Sequence, residues 1–140
     1  MIDKKEGTRL EILPQIRVSF FFSGDEFDID DVTTKMNIIP TETRKKKDFP
    51  IAEFAHTEWV LDTEKESCKS VSLQFEKLIK LLNRKEIIIN QICKDYNIEA
   101  GFSIMILMEN GDGPEMVLTK EIISFLASIN AEVGFDLYID

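Results

Sequence analysis

The chain has 140 residues, 44% hydrophobic and 31% charged, with 26 acidic against 17 basic side chains and a formal net charge of −9. That length and composition suit one domain with a real apolar core and exclude a disordered or membrane-like chain. The acidic balance repels nucleic-acid phosphates, which argues against direct DNA or RNA binding, while a cationic protein partner stays electrostatically open.

The chain reads as a single domain over 1–140, opened by a polar leader over 1–15 in which partial disorder is expected. The first residues, MIDKKEGTRLEI, lack an apolar core of signal-peptide length, and no segment approaches a membrane span, so a cytoplasmic location is expected. IRVSFFFSG (16–24) is rich in β-formers and closed by Ser-Gly. Val18, Phe20 and Phe22 share one face of that strand, and Arg17, Ser19, Phe21 and Ser23 share the other. DEFDIDD (25–31) then puts five acids into seven positions. A calcium loop would need alternating oxygens, a sharp-turn glycine and a distant bidentate Glu. Here Val32 interrupts the spacing, and neither the glycine nor the closing Glu follows. A helix start explains the acids better: Asp28 caps, and Asp30 and Asp31 face the positive end of a helix whose apolar positions are Ile29, Val32 and Met36.

From Pro40 to about His56 the chain reads as a long loop carrying Arg44, Lys45, Lys46, Lys47 and Pro50. TEWVLDT (57–63) alternates as a strand, Trp59 and Leu61 against Glu58, Val60 and Asp62. Phe75, Leu78, Ile79 and Leu82 step at helical spacing, as do Ile89, Ile92, Cys93 and Tyr96. The charged Arg84, Lys85 and Glu86 at the seam predict a break between two helices. GFSIMILME (101–109) is apolar on both faces and suits a central strand, and Asn110–Pro114 is a turn. Thr119 is the predicted cap of a helix with Ile122, Phe125, Leu126 and Ile129 on its apolar stripe. EVGFDLYID closes the chain as a strand, alternating Val133, Phe135, Leu137 and Ile139 with Gly134, Asp136, Tyr138 and Asp140.

Because three of the four strands alternate, helices are expected on one sheet face only. The predicted fold is α+β: a two-layer sandwich of an about four-stranded mixed or antiparallel sheet with helices on one face. Strand parity then leaves an opposite face with an apolar centre and an acidic rim. Two other occupants compete for that face, the 40–56 loop and a second copy in a homodimer.

Chemical signatures are sparse. His56 is the single histidine, which excludes a His-rich zinc site, and no GxSxG, P-loop or CxxC pattern is present. Cys93 lies on an apolar helical face and reads as a buried thiol. Cys68 sits among Ser and Lys with nothing to activate it. Trp59 reads as a core residue first, and Lys45–Lys47 as hydrated charge. No catalytic residue, metal ligand or cofactor is expected.

The order VSFFFSG, DVTTKMNIIPTETRKK, EWVLDT and AEVGFDLY resembles a bacterial family, domain of unknown function 4279, over nearly the whole chain from about Arg17. The positions that carry the resemblance are Ile39-Pro40-Thr41, Trp59 and Asp136-Leu137-Tyr138. After the Pro-Thr turn the family usually places a basic residue and then a glycine, where this chain has Arg44 followed by three lysines. The resemblance bears on fold and brings no reaction with it.

The leading functional expectation is a non-catalytic intracellular protein-binding domain, an immunity protein that neutralises a bacterial toxin being its most specific form. Its expected partner, a basic toxin domain, would meet Phe21, Glu58, Val60, Asp62, Met105, Leu107, Asp136, Tyr138 and Asp140. The alternative is a small-molecule or anion-binding domain using Thr41, Arg44, Trp59 and Tyr138, where the family pattern is visible.

Overall fold

The computed structural model describes residues 13–140. In it the alternation of the first apolar run becomes a ten-residue strand, Gln15–Gly24 (β1), whose inward residues Ile16, Val18, Phe20 and Phe22 are fully buried. Pro14 is buried and Gln15 already pairs in the sheet, so these two residues of the expected 1–15 leader belong to the fold; the part of it over residues 1–12 lies outside the described residues.

The acids that follow are spent on local structure. Asp28 Oδ1 accepts from the Asp31 N–H at 3.0 Å and starts the helix Ile29–Met36 (α1), which ends on Asn37 in the left-handed conformation. Asp31 in turn accepts from the Tyr96 hydroxyl and from Lys35 Nζ, and Asp25 pairs with Lys46. These partners tie the stretch to a later helix and a later loop.

The 40–56 segment is more ordered than its composition predicts. It contains a short strand, Glu42–Arg44 (β2), and two single turns of 3-10 helix, Lys46–Asp48 and Ala52–Phe54. Thr57–Asp62 (β3) then buries Thr57, Trp59 and Leu61, and Glu66–Ser67 (β4) adds a second short strand. The sheet therefore has six strands rather than about four. Strands of two and three residues carry no apolar alternation, so they leave no signal in the sequence.

The predicted break separates two helices, Val71–Leu81 (α2) and Glu86–Tyr96 (α3), at a turn where Arg84 adopts φ 65°. Glu99–Met108 (β5) follows, then Lys120–Ser128 (α4), whose Thr119 cap accepts from the Ile122 N–H at 3.2 Å, and finally Glu132–Ile139 (β6). The sheet order is β2-β3-β1-β5-β6, with β4 also on β1. Every pairing is antiparallel except β5 with β6, so the sheet is mixed.

The core lies between the helices and one sheet face. Phe20 packs edge-on to Phe22 with ring centroids 5.0 Å apart and lies 5.2 Å from Phe102, which in turn sits 4.8 Å from Phe75 on α2. Trp59 joins this layer at 5.7 Å from Phe22, and its Nε1 donates to Thr33 Oγ1 on α1 at 2.9 Å. Coverage fails at β6. Phe135 and Leu137 stand in register with the buried Ile104 and Ile106, hence on the helix side, yet they are 47% and 45% exposed. The helices end short of this last strand, so these two side chains stay partly open to solvent on the side where the helices pack.

Two polar side chains, Thr63 and Gln74, stitch the sheet where β3 stops and β4 begins. There β1 would lose its neighbour, but Thr63 exchanges hydrogen bonds with Val18, and Gln74 Nε2 donates to the carbonyls of Ile16 at 3.1 Å and Glu64 at 3.4 Å. Gln74 is fully buried on α2. Replacing it by an apolar residue removes the donor to the Glu64 carbonyl and a second donor to the Ile16 carbonyl, which costs about 1 kcal/mol. Gln74→Leu is expected to lower the denaturant-unfolding free energy by that amount without changing the far-ultraviolet circular dichroism.

Candidate functional site

Because successive strand residues point to opposite faces, the core residues fix what the other face displays. Cross-strand register groups those residues into rows. Glu42, Val60, Phe21, Gly101 and Glu132 form one row. Asp62, Ser19, Ser103 and Gly134 form the next, then Arg17, Met105 and Asp136, then Gln15, Leu107 and Tyr138. The partner-binding residues expected from sequence therefore do share one face. Phe21, Glu58, Val60, Asp62, Met105 and Leu107 are half-buried on it; Asp136, Tyr138 and Asp140 are exposed.

Their arrangement differs from the expected apolar centre. Phe21 with Val60 makes one apolar group, and Met105 with Leu107 and Tyr138 makes another, separated by the small polar row of Ser19 and Ser103. The tip of the Phe21 ring occupies the space over Gly101, since a Cβ there would stand 2.7 Å from Phe21 Cζ. Tyr138 donates its hydroxyl to Asp136 Oδ2 at 2.9 Å, which raises the tyrosine's pKa by stabilising the protonated phenol. The Asp140 side chain follows the same parity, while its N–H is held by the Met108 carbonyl. Asp62 Oδ1 is shielded from solvent and has no hydrogen-bond partner among the described residues. Such a carboxylate oxygen gains from any cation or donor brought to it.

The face also holds residues that the sequence reading did not select. Arg17 shares it by parity with Phe21, a signal that was present in the alternation. Glu42, Glu99 and Glu132 join the rim only through register, which strand sequences do not announce. The 40–56 segment, one expected cover for this face, is tied to the sheet's edge and end. Thr41 N–H donates to the Val60 carbonyl at 2.8 Å, Lys46 N–H to Thr57 Oγ1 at 3.3 Å, and Lys46 Nζ pairs with Asp25.

The alternative ligand quartet is not brought together. Trp59 is fully buried on the helix side. Thr41 accepts from the Asp62 N–H at 2.9 Å at the β3 edge, and Arg44 stacks on Phe49 at 4.4 Å. Tyr138 stands on the opposite sheet edge. Thr41 and Trp59, two of the positions that carry the family resemblance, are thus engaged in holding the sheet and its helix layer.

Two clefts lie away from this quartet. One of about 550 Å³ opens at the ends of α3, α4 and β5, lined by Asn90, Cys93, Lys94 and Asn130 and reaching the open face at Phe21, Glu99 and Glu132. A smaller one, about 290 Å³, lies among Lys45, Lys46, Lys47, Glu26 and Phe27. Burial pushes the Cys93 thiol up to about 11, which disfavours the nucleophilic thiolate. Cys68 donates its thiol to the Ser70 carbonyl. Among the described residues no group of three or more His, Cys, Asp or Glu is placed to hold a metal ion, and no helix is long and apolar enough to cross a membrane.

These features define the class: an α+β domain whose mixed sheet is covered by helices on one side and presents an acid-rimmed face on the other. The chain belongs to the family described as Domain of unknown function (DUF4279), whose family model matches residues 14–140. No curated protein and no solved structure matches it.

His56 closes the loop segment onto this face's edge. Its Nδ1 lies 2.9 Å from the Phe54 carbonyl and its Nε2 2.9 Å from Glu58 Oε2, with the Phe49 ring 4.6 Å away. Both partners only accept, so both ring nitrogens must donate, and this favours the imidazolium. The Phe54 carbonyl is the main cause of a pKa raised above 6.5, with Glu58 adding to it. A raised folded-state pKa contributes stability below the unfolded value that is lost as pH climbs through the folded one. A proton-NMR titration is expected to place His56 above 6.5, and Glu58→Gln to bring it down. Exchange protection of the 51–55 amides should weaken as pH passes the measured value.

Proposed function

We propose that this chain is a non-catalytic protein-binding domain whose open sheet face receives a basic partner, with neutralisation of a bacterial toxin as its most specific form. The observation that carries the reading is that face itself. Two apolar groups able to be desolvated stand among Glu42, Glu58, Asp62, Glu99, Glu132 and Asp136, with Arg17 and Arg44 as the cations among the paired strand residues there. Apolar anchors supply affinity, and acids steer a cationic partner and set its orientation. Small size and a net charge of −9 accord with an immunity protein.

Small-molecule or anion binding is the second reading, and the two clefts are what favours it. The lysine-lined cleft suits an anion less well than its composition suggests, because Asp25 already neutralises Lys46 and Glu26 lines the same space.

Co-purification from the native host identifies the partner, and two variants then test the face. Tyr138→Ala with Asp136→Lys alters one apolar group, and Val60→Lys alters the other at the opposite side of the sheet. Each is expected to weaken partner binding at least about tenfold, or 1.4 kcal/mol, with melting temperature unchanged. Added salt should weaken the wild-type complex, as screening does for opposite charges. Folded variants that bind the partner undiminished would exclude this face.

A further inference from the structure

The two edges of the sheet are built differently. At one edge β2 has three residues, all exposed, and runs into Lys45–Lys47 and Pro50, the usual guards against strand addition. At the other edge β6 has eight residues, Glu132–Ile139, with no lysine, arginine or proline. It is the last strand of the sheet among the described residues, and its helix-side residues Phe135, Leu137 and Ile139 are exposed.

The backbone of β6 offers a full set of hydrogen-bonding groups. The Asp140 N–H donates to the Met108 carbonyl, so Asp136, Tyr138 and their even-numbered neighbours turn their main-chain groups toward β5. By alternation, Val133, Phe135, Leu137 and Ile139 turn N–H and C=O outward, along the free edge. We propose that β6 pairs antiparallel with β6 of a second copy, across a twofold axis at Phe135, joining the two sheets into one.

Charge selects that axis. A twofold perpendicular to the sheet keeps each side chain on its own face, so only residues of equal parity stand opposite each other. An axis at Asp136 sets Asp136 against itself and Glu132 against Asp140, which like-charge repulsion disfavours. An axis at Phe135 sets Gly134 opposite Asp136, Glu132 opposite Tyr138, and Val133 opposite Leu137. No acid then faces an acid, and every residue from Glu132 to Tyr138 finds its partner within the strand. An axis at Leu137 also avoids acid pairs but pairs only Phe135 to Ile139 of the strand with one another. Phe135 meets its own copy as a pair exchanging both hydrogen bonds, and the space beside Gly134 is open, with no atom within 4 Å of an added Cβ.

The pairing brings together two chains of net charge −9. Screening should therefore strengthen it, the opposite of the salt response of a basic partner on the open face, so the two proposals are separable. Sedimentation velocity on the full chain is expected to show a monomer–dimer equilibrium that shifts toward dimer with concentration and from low salt to about 0.5 M salt. Phe135→Lys and Leu137→Pro should both remain monomeric; the proline removes an outward N–H and spares the β5 ladder, and circular dichroism checks that the fold is kept. Under mild oxidation Phe135→Cys should cross-link to dimer far beyond the wild type, which retains Cys68 and Cys93, and Asp136→Cys should not. A wild type monomeric at every salt and concentration overturns the proposal. So do folded Phe135→Lys and Leu137→Pro variants that dimerise like the wild type, and cross-linking through Asp136→Cys in place of Phe135→Cys overturns the register. Loss of basic-partner binding in these variants, with no self-association in the wild type, would assign the edge to that partner instead.

Discussion

The rest of the structure hangs on the double pairing of β1. It is hydrogen-bonded along one side to β5 and along the other to β3 and then β4, so its alternation sets which face of the sheet is apolar for all its neighbours. Phe20 and Phe22 stand at the centre of that constraint. Trp59 arrives beside them from β3, Phe102 from β5, and Phe75 is lowered onto the layer by α2. A slip of one residue in β1 would turn these rings to solvent and Arg17, Ser19 and Ser23 into the core. The cost of that exchange is what holds the register.

The same constraint separates structural from available polar groups. Asp28, Asp31, Thr33, Thr41 and Gln74 look like candidate chemistry in a list of residues, yet each is engaged in a cap, a helix tie or a strand tie. Within the sheet, the polar groups left on display lie on the face that β1 turns away from the helices, and there acids outnumber bases. That is why the functional argument moves from the acid-rich turn, which is conspicuous in sequence, to a sheet face that is dispersed over five strands.

The sheet's asymmetry follows from how its ends are made. β2 leads into a loop dense in lysine and is too short to template another strand. β6 is delivered by the β5–α4 crossover as a long parallel partner, and the helix layer stops before covering it. One side chain set, Phe135, Leu137 and Ile139, is thereby left on the helix side without helix cover.

Much of this was legible in the sequence because it depends on local periodicity. The alternation of Val18, Phe20 and Phe22, the helical step from Phe75 to Leu82, the Asp28 and Thr119 caps and the break near Arg84 are each governed by neighbours within a few residues, and each stands where the pattern placed it. Burial of Trp59 and the grouping of Phe21, Val60 and Tyr138 on one face followed from parity alone. Tertiary structure decided what depends on partners distant in sequence. The β2 and β4 pairings, the ties through Gln74 and Thr41, and the row order that splits the apolar groups around Ser19 and Ser103 all arise from register between strands. The exposure of Phe135 and Leu137 shows the distinction most sharply. Parity told which way they point, but whether a helix reaches far enough to cover them is a matter of how layers of unequal width stack, and no local pattern encodes that width.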